Sequence, residues 1–169
     1  MNERIRQPLG LSLAFLPGTV FVLGLWNMKM RHLVSWEFPN VPWELWMIGM
    51  TGTAALIAAV GDWYFHAHTA KGKVSPLEEQ GEIIALTGGA VMFFLMAAAT
   101  LSTNPRMYLV PIAVDLIFTV AMICHDEFVF HRRRCGQYES ALHKVIVFGN
   151  GIAWLSWFHW IFVRVRLPL

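Results

Sequence analysis

Charge and apolar character are segregated along this chain, and that segregation constrains the fold more than any motif does. A helix of about 20 apolar residues crosses the hydrocarbon core of a bilayer. Inside that core a helix satisfies every backbone N–H and C=O within its own segment. Five stretches reach this length, from about Leu9 to Asn27, Trp43 to His66, Pro76 to Leu101, Tyr108 to His131 and Ala141 to Val163. Charged residues make up 14% of the chain, against about 25% in a soluble domain. Eight Trp and twelve Phe suit a lipid-facing surface with interfacial belts. The expected fold is all-α: a polytopic membrane helical bundle of about five transmembrane helices, forming one integral membrane domain over residues 1–169, with the lipid bilayer as its first partner.

The same features exclude other classes. Net charge is only +2 and the basic residues sit in loops and tails, so no nucleic-acid partner is expected. Cys124 and Cys135 give no disulfide framework. Arg4 and Arg6 precede the apolar run Leu9–Trp26, but the following NMKMRH has no small-residue cleavage site, so this run is read as a retained first helix rather than a secretory signal. Pro17-Gly18 predicts a kink in it. In the second segment Gly49, Gly52, Ala54, Ala55, Ala58 and Ala59 form a small-residue patch suited to close helix packing. Ser75-Pro76-Leu77-Glu78 reads as a helix start, with Ser as N-cap and Pro at the first position.

With five spans, the N-terminal tail shares a side with the second and fourth loops. That side carries Arg4, Arg6, Lys71, Lys73, Arg132, Arg133, Arg134 and Lys144, and the other carries Lys29, Arg31, Arg106, Arg164 and Arg166. The excess of positive charge places the N-terminus in the cytoplasm, with a bacterial inner membrane as the expected location.

This topology gathers ionisable residues at the cytoplasmic face. Asp62, His66 and His68 close the second helix, and Glu78, Glu79 and Glu82 open the third. His125, Asp126, Glu127 and His131 close the fourth, while Glu139 and His143 open the fifth. Asp62/His66, Glu127/His131 and Glu139/His143 share one pattern, a carboxylate four residues before a His, which puts both groups on one helix face. Asp115 lies about three turns before Asp126 on nearly the same face, and Asn150 lies two turns beyond His143, so a polar column is expected to run into the membrane below the cluster.

Part of this pattern has a purely structural reading. Acidic residues in a first helical turn and basic ones in a last turn suit the helix dipole, and the arginine run suits the positive-inside rule. That reading fails for Asp62, Asp126 and Glu127, acidic groups at helix C-termini, and for Asp115 in the middle of a span.

Carboxylates and imidazoles on four facing helices resemble the di-iron and di-manganese sites of ferritin-like proteins. The likeness is one of architecture, since that family spaces its motif Glu-x-x-His and this chain has carboxylate-x-x-x-His. The expected function is a membrane-embedded, metal-dependent oxidoreductase holding two iron ions and acting on a lipid, quinone or other apolar small molecule. Asp62, His66, Glu82, Glu127, His131, Glu139 and His143 are the expected ligands, with His68 and Glu79 as further metal-site residues. Asp115, His125 and Asp126 are the expected catalytic residues, Asp115 relaying protons or touching substrate. Alternatives are a zinc or manganese site, zinc implying hydrolysis by a metal-bound water. Others are a haem b held by two of His66, His125, His143 and His159, or a non-catalytic accessory subunit or small transporter. A homo-oligomer or a larger membrane complex is compatible with each.

Overall fold

The computed structural model describes residues 3–30, 40–68, 76–125 and 136–164. Every element among them is helical. In order they are α1 (Glu3–Met30), α2 (Trp43–His68), α3 (Pro76–Leu101), a turn of 3-10 helix (Pro105–Tyr108), α4 (Leu109–His125), α5 (Gln137–His159) and a π-helical turn (Trp160–Arg164). Three helical stretches are long and apolar enough to cross a membrane, Trp43–Phe65, Pro105–His125 and Gln137–Arg164, and Thr87–Leu101 is a shorter apolar stretch of α3. Large apolar side chains lie open on them: Ile57 is 68% exposed, Val110 73% and Ile117 72%. Faces of that kind match lipid as solvent rather than water. The architecture is therefore all-α and that of an integral membrane protein.

Element boundaries follow local chemistry. Pro105 opens the 3-10 turn, where its missing N–H costs nothing. Just before it, the Asn104 N–H donates to Ser102 Oγ at 3.1 Å. The fifth helix starts at Gln137, four residues before the expected Ala141, and Ser140 N–H donates to the Gly136 carbonyl at 3.0 Å. Glu139 in its first turn suits the positive end of the helix dipole. Ser75, the expected N-cap of α3, lies outside the described residues, as does the stretch 126–131 expected to complete the fourth span.

The chain divides into two compact units, one of Met1–Ala70 with Ala141–Trp157, the other of Lys71–Ser140 with Phe158–Leu169. The first contains α1, α2 and most of α5. Leu45, Ile48, Ala55 and Ala58 form the buried stripe of α2. On α5, Gly149 meets α2 so closely that a Cβ there would stand 2.9 Å from the Thr51 carbonyl oxygen and 3.0 Å from the Ala55 methyl. Small residues that let backbones approach are the usual basis of helix packing in membranes. Phe21 of α1 closes this unit edge-on against Trp157, with ring centroids 5.5 Å apart.

The second unit packs α3 against α4. Met92, Met96 and Ala99 line α3 at helical spacing, and Ile112 is the fully buried residue of α4. Gly88 is the close point, since a Cβ there would stand 2.5 Å from Thr119 Oγ1. In the π-helical turn Trp160 and Ile161 are buried, and Phe158 lies tilted against Phe162 with ring centroids 4.6 Å apart.

Candidate functional site

Within the first unit, α2 and α5 bring Asp62 and His143 together. His143 Nε2 stands 3.4 Å from Asp62 Oδ1, and the side chains are 20% (Asp62) and 19% (His143) exposed. Two groups 81 positions apart meet because α2 and α5 run antiparallel about the Gly149 contact. From Ala55 to Asp62 is two turns along α2, and from Gly149 back to His143 is nearly two turns along α5, so the register that closes the glycine contact also sets the acid against the imidazole. Each partner comes from a different carboxylate-x-x-x-His motif, Asp62 from Asp62/His66 and His143 from Glu139/His143.

The other expected residues are placed as follows. His68, the last residue of α2, is exposed. Its Nδ1 lies 3.0 Å from the Tyr64 carbonyl oxygen and its ring stacks on Tyr64 at 4.3 Å, so it is engaged with its own helix. Glu139 is half-buried one turn before His143 on α5, and His125 is exposed at the end of α4. His66, Glu79 and Glu82 sit on described helices, but their side chains lie outside the described set, and Asp126, Glu127 and His131 lie outside it altogether. Among the described residues no group of three or more His, Cys, Asp or Glu is gathered to hold a metal ion. Cys124 is a free, exposed thiol.

The two residues of the expected polar column, Asp115 and Asn150, belong to different units. Asp115 does lie on the α3-facing stripe of α4, half-buried, with Oδ2 enclosed and without a hydrogen-bond partner. Asn150 does not extend the column. It is exposed, and its amide donates to the Ile146 carbonyl of its own helix at 2.9 Å. An asparagine flanked by two glycines has the sequence of a packing polar group, but here Gly149 makes the packing contact and Asn150 faces outward.

Two residues escaped the sequence reading. Glu44, in the first turn of α2, is completely buried. Its position after Pro42-Trp43 signals a helix start, but nothing local signals burial. Thr119 is the second. Thr19, Thr51 and Thr100 each donate to the carbonyl four residues back at 2.7–3.0 Å, as helical threonines commonly do. Thr119 Oγ1 is instead buried against Gly88 and has no hydrogen-bond partner.

No family model, curated protein or solved structure matches this chain.

Proposed function

We propose that the chain is a membrane-embedded, metal-dependent oxidoreductase, with Asp62 and His143 as the core of a carboxylate–imidazole site for two iron ions. The observation that carries this reading is the Asp62–His143 contact at 3.4 Å, which joins two of the three carboxylate-x-x-x-His motifs. Any group placed one turn away on the same helix face is within reach of such a site, which adds His66 from α2 and Glu139 from α5. Glu82, Glu127 and His131 are the remaining proposed ligands, with Glu79 and His68 as alternates. Oxygen and nitrogen donors without thiolate suit iron or manganese over copper or an iron–sulfur cluster. These residues would hold iron, which would supply oxygen activation, and the exposed apolar helix faces would give a lipid, quinone or similar substrate a route from the bilayer. On the charge distribution, the site lies at the cytoplasmic face.

The test is elemental analysis of the purified full chain together with its visible spectrum. The reading expects roughly two iron ions per chain, no Soret band, and loss of the metal in both Asp62→Ala and His143→Ala. Absence of stoichiometric metal, or metal content unchanged in both variants, overturns it, and a Soret band replaces it with haem.

A second reading is favoured by one finding, that the described residues gather a pair and not a triad. In it Asp62–His143 is an interhelix clamp in an accessory subunit or small transporter. Alanine at either position then weakens α2–α5 packing and leaves metal content where it was.

A further inference from the structure

Asp115, expected from the sequence to relay protons or touch substrate, occupies a demanding position of its own, at the middle of an apolar span. It stands ten residues from each end of the apolar span Pro105–His125, about 15 Å from either end along the helix axis. Its Oδ2 is enclosed and has no hydrogen-bond partner among the described residues. One turn further on the same stripe lies Thr119, whose Oγ1 is also enclosed and unpartnered. Side chains four apart on a helix stand about 5–6 Å apart at Cβ, so a side-chain rotation or a single water can join these two groups, which are not bonded to each other in the structure. The bare backbone at Gly88 makes room for this hydroxyl, since any Cβ there would stand 2.5 Å from it.

We propose that Asp115 and Thr119 form a proton-exchange site at mid-membrane, the carboxyl binding and releasing a proton and the threonine hydroxyl partnering it in both states. A hydroxyl is both donor and acceptor. Through a side-chain rotation or one bridging water, since the two groups are not bonded to each other in the structure, it donates to the carboxylate when the proton has left and accepts from the carboxylic acid when the proton has returned. A donor-only partner such as Lys, Arg or Trp would fix one charge state. The step balances simply: a carboxylate oxygen takes a proton from hydronium or water and returns it to water, with no electron transferred.

Among the described residues of this unit, few other ionisable groups lie on the elements packed with α4. The stripe of α3 packed on α4 presents Gly88, Met92, Met96 and Ala99, none of them ionisable, and the glutamates of α3 lie at its far N-terminal end. The 3-10 turn contributes Arg106, which is exposed, and Tyr108, half-buried two turns before Asp115. On α4 itself Cys124 and His125 are exposed at the C-terminal end.

The test is infrared difference spectroscopy of the full chain in lipid vesicles across a pH titration, which reads the C=O stretch of a protonated carboxyl whether or not the protein holds metal. A carboxylic-acid band that appears and disappears with pH, and is lost in Asp115→Asn, is expected. In Thr119→Val the midpoint of that band should be displaced by about one pH unit, a tenfold change in proton affinity, and Thr119→Ser should restore it. A circular-dichroism spectrum equal to wild type shows that each variant is folded. A band present at every pH makes Asp115 a fixed neutral acid, and no band at any pH makes it a fixed ion; either overturns the proposal. A midpoint unmoved in Thr119→Val overturns the role of Thr119.

Discussion

The two helix pairs solve one packing problem with opposite results for their acids. In both, a glycine brings two helices close, Gly149 against α2 and Gly88 against α4. In both, an aspartate lies on the packed stripe. Asp62 stands two turns from its glycine contact, at the end of its apolar span, and meets a histidine. Asp115 stands one turn from its contact, in mid-span, and its enclosed Oδ2 has no hydrogen-bond partner among the described residues. Position along the helix, rather than residue type, decides whether the carboxylate has an ionisable partner. Near a helix end loops and neighbouring motifs supply His and Glu, whereas at mid-span apolar side chains surround it.

The glycines differ in what they face, and that difference gives the largest expected effect. Gly149→Ala pushes a methyl onto the Thr51 carbonyl, which is backbone and cannot turn aside, so it should cost about 3 kcal/mol in reversible unfolding from mixed micelles. Gly88→Ala meets a rotatable hydroxyl and should cost about 1–2 kcal/mol. Most of that cost should vanish in a Thr119→Ala background, a coupling of about 1 kcal/mol in a double-mutant cycle. Equal costs at the two glycines, or no coupling to Thr119, would break the comparison.

Smaller effects sharpen it. In metal-free protein, Asp62→Ala and His143→Ala should each cost about 0.5–1 kcal/mol, with the double variant no worse than either alone, because a partly exposed carboxylate–imidazole contact is a weak clamp. Asn150→Ala should change stability by less than about 0.5 kcal/mol, since its amide only caps a carbonyl of its own exposed face. A larger loss there would return Asn150 to the helix interface.

Much of the fold was legible because the bilayer fixes helix length. The bounds of α3 are those expected, α2 runs two residues past its expected end, and α5 starts one turn early because Gln137-Tyr138-Glu139 makes a good first turn. The Asp62–His143 contact was legible as membership of one cluster, since helix spacing and loop order place both at one membrane face. Register was not legible. The glycine that sets it, Gly149, reads in sequence only as a neighbour of Asn150, and the contact of Gly88 with Thr119 joins residues with no shared pattern. Burial of Glu44 was hidden for the same reason: it depends on what packs over a helix start and leaves no trace in local sequence.

The most direct measurement on the Asp62–His143 site is X-ray absorption at the iron edge of the purified full chain. The account predicts a first shell of oxygen and nitrogen alone, with imidazole scattering that weakens in His143→Ala. A sulfur shell, or iron whose surroundings are identical in wild type and His143→Ala, would contradict it.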